Sequence, residues 1–333
     1  MQDTIDPAAV KYLLLAEKGE NIDIVFLQTS VEDSPPKIFM RSHIQSDGIG
    51  ALLDLMKIDG THIQKGPVLK HSGRPPLFKR LLLMREHLKR QAPIDYSWKK
   101  IDRRVTGVSA GIAYLTFSVE QTTRLNEFCK NHECNLNGLI LWSIDYVARE
   151  RYLMASQKRV WMVPVNIRLQ ENEMGNKVTA LSVNIFDGDS PGIIYRQIKS
   201  MLQGGLYWGG MIVANLPRYI GVRALRFLTK NLKSPYMGIV TNLGNWNHGP
   251  SVERLLVSAP ATSFCPIAIG VMTWNGSLGM SCQLHPSLSK NIQETDQLLE
   301  DCKNKLLEYA GMNAMLKTSS IAWETVAKEG KRI

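Results

Sequence analysis

One segment of the chain combines residue types and spacing suited to acid–base chemistry: KIFMRSHIQSDGIGALLDLM, residues 37–56. His43 ends an apolar run of strand character. Asp47 and Gly48 follow in a turn, and Ile49, Leu52, Leu53 and Met56 then recur at helical spacing. An imidazole at such a strand-to-helix turn can face a cleft on a rigid backbone, and its ordinary pKa near neutrality suits it to accept a proton. Gly48 would allow a positive φ or the close approach of another segment. Asp47 would either pair with a distant cation or cap the helix. Spacing alone favours a simpler account, a surface histidine before an ordinary Asp-Gly turn.

Other groupings are weaker. Cys129, His132 and Cys134 (CKNHEC) are metal-binding types, but their offsets do not share one helix face and no fourth ligand lies nearby. A helix end followed by a turn is preferred there, and no metal site is expected. Ser263 and Cys265 (SFCP), with His248 and His285 available, would suit a nucleophile and base, yet neither sits in a Gly-x-Ser-x-Gly elbow. Neither a Gly-x-x-x-x-Gly-Lys loop nor a Gly-x-Gly-x-x-Gly fingerprint is present, which argues against nucleotide hydrolysis and a Rossmann cofactor site.

The elements around His43 follow from periodicity. A short helix over Ala8–Lys18 precedes two extended runs, Ile22–Gln28 and Lys37–Ile44, with VEDSPP between them as a helix-breaking hairpin loop. Gly48–Lys57 reads as a helix. Residues 60–104 are the least regular, although LFKRLLLMREHLKRQ within them forms a basic amphipathic helix. Gly111–Phe117 reads as a strand. Ser118 and Gln121 fit a capping box opening a helix to Lys130, and Asn135 caps a second over Leu136–Glu150. The second half is rich in strands: VWMVPVNIR, VTALSVNIF, YMGIVTNLG, RLLVSAP and PIAIGVMTW. Asn275-Gly276 marks a type I′ hairpin. A helix over Lys290–Ala310 stops before Gly311. The order predicts mixed α/β sheets in two lobes, residues 1–155 and 156–333, with the boundary near Met154–Arg159.

Composition bounds the function classes. The 333 residues are 44% hydrophobic and 21% charged, which is globular. No run of about 20 apolar residues suggests a spanning helix. The first residues lack the order of a secretory signal, and five cysteines without a Cys-x-x-Cys pair do not make a disulfide framework. A cytoplasmic, reduced protein is expected. The net charge of +10 suits anionic partners, but no nucleic-acid-binding signature accompanies it, so nucleic acid is not an expected partner.

HIQSDG matches the His-x-x-x-Asp-Gly motif of the chloramphenicol acetyltransferase-like, CoA-dependent acyltransferases, a superfamily that includes condensation domains and wax ester synthase/diacylglycerol acyltransferases. Further segments resemble that superfamily in order. IDIVFLQTS–VEDSPP–KIFMRSHIQSDG looks like the hairpin that delivers the motif, and SVEQTTRLNEFCKNHECNLNGLILWSIDYVARE like its paired mid-domain helices. VWMVPVNIRLQENEMGNKVTALSVNIF resembles the segment with a Pro-Val-Asn-x-Arg and Gly-Asn pattern in wax ester synthase-like members. YMGIVTNLGNW is similar to a loop ending in Asn-x-Gly that lines the tunnel, and GSLGMSCQLHPSLSKNIQETDQLLEDCKNKLLEY to the closing strand and helix. The likeness spans most of residues 20–310. Ser42 stands where many members have a first histidine, and the motif begins at residue 43 rather than far into the domain.

The resemblance implies a two-lobed chloramphenicol acetyltransferase-like α/β fold, with mixed sheets flanked by helices and an incomplete N-terminal lobe. It implies acyl transfer from CoA or an acyl carrier protein to an alcohol or amine, with the thioester as co-substrate and no separate cofactor. His43 would be the general base. Asp47 would be structural, paired with an arginine for which Arg168 is the candidate; a solvated strand-end charge is the other account of Arg168. The Gly48 N–H and Asn242 are oxyanion candidates, and Asn242 and Gly244 tunnel candidates. The alternative is an inactive relative that binds an acyl ligand or a partner protein. Two basic amphipathic stretches, Arg74–Arg90 and Leu216–Lys233, suit peripheral contact with an anionic membrane, a carrier or CoA phosphates, or are solvated faces. Trp208 and Trp246 fit core packing better than a tunnel wall.

Overall fold

The computed structural model of the chain describes residues 9–29, 35–58, 75–91, 96–102, 104–155, 158–170, 173, 175–216, 221, 234–247, 254–312 and 318–333. The second basic stretch and the VEDSPP loop fall largely outside this set, as do His248 and Arg74.

A four-stranded sheet carries the motif hairpin. β1 (Asp23–Thr29) pairs antiparallel with β2 (Lys37–Ser42) on one side and with β7 (Arg254–Ser258) on the other, and β11 (Lys331–Arg332) adds parallel to β2. The period of two in β1 splits its side chains between two cores. Ile24 and Phe26 pack with Leu52, Leu53 and Met56 of α2 (Gly48–Ile58), while Val25 and Leu27 pack with Leu256, Ile112 and Val326. Every apolar residue predicted to face inward from α2 is buried there. The hairpin is thus pinned on both faces.

A seven-stranded sheet supplies the rest, in the order β10 (Ser319–Ala322), β3 (Gly111–Thr116), β9 (Ser277–Leu284), β8 (Ile267–Trp274), β6 (Gly238–Trp246), β4 (Arg159–Asn166) and β5 (Val178–Ile185). Most pairs are antiparallel, but β6 runs parallel to both β4 and β8, so the sheet is mixed. The largest core is built by α4 (Val119–Asn131), α5 (Leu136–Tyr152), α6 (Pro191–Gln203) and α8 (Ile292–Tyr309) on this sheet. Helix α7 (207–216) follows α6, and α3 (Leu77–Arg90) packs against β5. Both sheets take strands from either side of residue 155.

Local chemistry sets the ends of these elements. Ser118 and Gln121 form the reciprocal capping box of α4, with N···O distances of 3.1 and 2.8 Å. Asn135 caps α5 through the Gly138 N–H. Asn275 (φ 47°) and Gly276 (φ 80°) turn β8 into β9. The last segment, β10 followed by α9 (Trp323–Glu329) and β11, has no sequence signal comparable to these. It is held by tertiary contacts: the Arg332 guanidinium donates twice to Asp23, at 2.9 Å each.

The two sheets meet where β7 crosses β8. Gly270 makes this possible, because a Cβ there would lie 2.1 Å from the Val257 carbonyl oxygen, and the Ser281 hydroxyl donates to that same oxygen at 2.7 Å. Gly270→Ala should therefore lower stability by about 1–3 kcal/mol. A fall in the urea midpoint with unchanged slope is the expected result.

Candidate active site

The site begins at the end of β2. The His43 N–H donates to the Ile22 carbonyl at 3.1 Å, which holds the residue beside the start of β1. Ser42 accepts from the Gln45 and Ser46 N–H groups, closing a turn that leads to α2. Asp47 then caps the helix, its Oδ1 accepting from the Gly50 N–H at 2.9 Å.

The structure also brings Asp47 and Arg168 together. The guanidinium donates from Nη2 to Asp47 Oδ1 at 2.7 Å and from Nη1 to Oδ2 at 3.0 Å, and Arg168 is fully buried. Its remaining N–H groups reach the Glu173 carbonyl (2.7 Å), the Gly175 carbonyl (2.9 Å) and Asn166 Oδ1 (3.1 Å). All five donors of the fork are thereby used. Asp47 Oδ2 also accepts from the Lys177 N–H at 2.6 Å. The two accounts of Asp47 are both realised: it is a helix cap and a partner of a distant cation. Arg168 is not a solvated strand-end charge.

Gly50 was not singled out in the sequence, and it matters here. A Cβ at Gly50 would come within 3.0 Å of both Arg168 Nη2 and the Gly175 carbonyl. Asn176, seen in the sequence only as half of a Gly-Asn pattern, grips the motif turn: its Nδ2 donates to the carbonyls of His43 (3.1 Å) and Ile44 (3.3 Å). The β4–β5 connection thus holds the turn through Arg168, Asn176 and Lys177.

The His43 ring is partly buried. It stacks on Tyr12 of α1 (Val10–Ala16), with ring centroids 3.9 Å apart and planes 9° from parallel. Lys11 Nζ lies 4.6 Å from the centroid of the same Tyr12 ring. His43 Nδ1 is buried without a well-aligned partner. Burial, reinforced by the Lys11 charge, lowers the His43 pKa to about 4; Asp47 and Asn176 oppose this only weakly. The imidazole is accordingly neutral at neutral pH. Nothing in the spacing of Tyr12 marked it as a neighbour of His43, because the contact joins separate elements.

The Asn-x-Gly loop reaches the same region. A Cβ on Gly48 would lie 2.8 Å from Leu243 Cδ2, so Gly48 serves close approach rather than a positive φ. Asn242 Nδ2 donates to Asn137 Oδ1 at 2.6 Å, and its Oδ1 accepts from the Gly244 N–H at 2.7 Å. Gly244 takes φ +91°, the left-handed region that favours glycine. Trp246 and Trp208 are buried in two different cores.

The other sequence candidates stay apart from this site. Ser263 donates to Glu20, whose carboxylate also accepts the Ser263 N–H at 2.9 Å, while Cys265 is buried with its thiol pushed up to about 12. His285 is buried and bonds Ser287. Cys129 and Cys134 are buried with raised pKa values, and His132 stacks on Phe128. Among the described residues, no group of three or more His, Cys, Asp or Glu could hold a metal ion. Among the same residues, no helix is long and apolar enough to cross a membrane.

No family model and no curated protein matches the chain. Solved structures match it in fold. The chain is similar to the trichothecene 15-O-acetyltransferase TRI3 of Fusarium sporotrichioides, with 14% identity, 90% of this chain and 75% of that one covered, and a TM-score of 0.59. It is similar to the EpoB cyclization–docking bidomain of a non-ribosomal peptide synthetase from Sorangium cellulosum (12% identity, 83% and 60% covered, TM-score 0.54). It is also similar to polyketide synthase associated protein 5 of Mycobacterium tuberculosis (15% identity, 85% and 76% covered, TM-score 0.51). The chain spans 60% of the EpoB bidomain and about three quarters of the other two. At these identities the likeness establishes the fold. It is a mixed α/β arrangement, two sheets flanked by helices, shared with that acetyltransferase and that cyclization–docking bidomain.

Removing either partner of the buried pair strands the other. Asp47→Asn and Arg168→Met should each destabilise by about 3–5 kcal/mol, and the double variant by less than the sum, in equilibrium unfolding. Acid acts through three histidines whose pKa values are lowered by desolvation. His43, His87 and His285 are each lowered from 6.5 to about 4, so the unfolded chain takes up these protons first. This contribution to stability is complete above about pH 6.5 and is lost as the pH falls toward 4. Urea midpoints measured across that window should decline on acidification, and by less in a His87→Gln variant.

Proposed function

We propose that the protein is an acyltransferase that carries an acyl group from a CoA or carrier-protein thioester to an alcohol or amine, with His43 as general base. The observation that carries this reading is a neutral imidazole held on a rigid turn, with the carboxylate of its own motif committed elsewhere. Nδ1 is sealed by the protein, so Nε2 is the atom that takes the proton. As the acceptor oxygen or nitrogen attacks the thioester carbonyl, its proton passes to Nε2. The tetrahedral intermediate then collapses, the carbon–sulfur bond breaks, and the imidazolium returns the proton to the leaving thiolate. The products are an ester or amide and a free thiol. No acyl-enzyme is formed, and the thioester is the only co-substrate required.

Asp47 and Arg168 act as the frame of the site in this scheme, and Asn176 as the grip on its turn. The developing oxyanion needs donors preset in position. Asn242 is oriented by Asn137 and Gly244, and its Nδ2 carries a second proton that the bond to Asn137 does not use. Together with the Gly48 N–H at the start of α2 it is the proposed donor pair. Gly244 shapes the loop, since its own N–H is committed to Asn242. The parallel Tyr12 ring over His43 is the one feature favouring a second reading, an inactive relative that binds an acyl ligand or a partner protein.

Free-thiol release separates the two. The purified protein is incubated with acyl-CoAs of varied length, or with an acyl carrier protein, in the presence of alcohol or amine acceptors. Acceptor-dependent release is expected, with His43→Ala slower by ~10²–10⁴. Equal background release from both proteins with every donor would select the inactive relative.

A further inference from the structure

Helix α3 is amphipathic in the reverse sense to a core helix. Its buried residue is polar: His87 is 3% exposed, whereas Leu77 is 61%, Phe78 73% and Leu82 50% exposed. Leu81 and Leu88 are exposed as well. At 100° per residue, Leu77, Leu88, Leu81, Arg85, Phe78, Lys89 and Leu82 follow one another around an arc of about 140°. The arc holds five large apolar side chains and two cations. The helix's one acid, Glu86, lies outside it and pairs with Arg90 at 3.4 Å.

The helix cannot roll to hide these residues, because its inner face is locked. His87 Nε2 lies 2.8 Å from Gln91 Nε2, and Gln91 donates to the Tyr236 hydroxyl at 2.7 Å, which in turn meets Ser182 at 2.9 Å. Gly209 and Gly210 of α7 let the helix sit close: a Cβ at Gly209 would lie 2.4 Å from the Leu83 carbonyl, and one at Gly210 3.2 Å from the His87 ring. The apolar arc is therefore a fixed outer surface.

We infer that α3 seats the protein on an anionic lipid bilayer, with Leu77, Phe78, Leu81, Leu82 and Leu88 entering the interface and Arg85 and Lys89 reaching up to the headgroup phosphates. Charge complementarity selects this occupant. Cations are the only charges within the apolar arc, and the chain carries a net charge of +10. Long basic side chains beside leucines are at home where the aliphatic stem is in oil and the head in phosphate. A protein partner would have to take up Lys89 within its contact, and such interfaces are depleted of lysine. This inference is independent of acyl transfer.

The test is co-sedimentation of the full chain with vesicles of phosphatidylcholine alone, or of equal parts phosphatidylcholine and phosphatidylserine. Retention on the mixed vesicles is expected, much weaker on neutral ones and falling as salt is raised. Phe78→Ser with Leu82→Ser should reduce retention at least about tenfold. Arg85→Gln and Lys89→Gln should each reduce it about fivefold. These side chains are exposed, so circular dichroism should be unchanged, which separates lost binding from lost folding. The inference is overturned if the protein ignores the mixed vesicles, binds neutral vesicles equally, or binds undiminished after the substitutions. A lipid-free dimer dissolved by Phe78→Ser with Leu82→Ser would also overturn it, assigning the face to a second copy of the chain.

Discussion

The buried pair of Asp47 and Arg168 is the constraint around which the site is arranged. Taking both ions out of water is costly, and their attraction offsets that cost only with good geometry and no lone pair or proton left idle. Here the fork is bidentate and every guanidinium donor has an acceptor, while the carboxylate also takes the Gly50 and Lys177 N–H groups. Such a pair specifies position more than it adds stability. It joins the turn after β2 to the β4–β5 connection, segments more than a hundred residues apart in the chain. It also commits the Asp47 carboxylate to Arg168 rather than to the His43 ring.

The packing of the hairpin complements this electrostatic tie. Because β1 buries both faces, one against α2 and one against Ile112 and Val326, the turn at its mouth cannot shift without disturbing two cores. Gly48, Gly50 and Gly270 are the places where backbone or a long side chain must come closer than a Cβ would permit. They bring, respectively, the Asn242 loop, Arg168 and the second sheet into register with the motif. The same tight enclosure depresses the His43 pKa, since an imidazolium there would lose most of its hydration.

Much of this was legible in the sequence, for identifiable reasons. Period-two and period-3.6 patterns are local, so β1, β2, α2 and the cap residues Ser118 and Asn135 could be read directly. The Asn275-Gly276 turn was equally plain, since few residues tolerate its backbone. His43, Asp47 and Arg168 emerged through the resemblance of HIQSDG and VPVNIR to the segments of a known superfamily, since spacing alone favoured an ordinary turn. Tyr12, Asn137, Gly50 and the grip of Asn176 on the turn did not emerge. Each acts through a contact between elements distant in sequence, and no periodicity encodes such a contact. The strands β10 and β11 escaped for a related reason: they are short, largely exposed, and held by pairing with β3 and β2 rather than by an apolar alternation of their own.

The account rests on a neutral, enclosed imidazole accepting the proton of the attacking group. The pH dependence of acceptor-dependent thiol release tests that most directly. The account predicts a rate that holds level as the pH is lowered past 6.5 and declines only toward about 4, where the enclosed ring becomes charged. A decline centred near 6.5, the value of a solvent-exposed histidine, would contradict it.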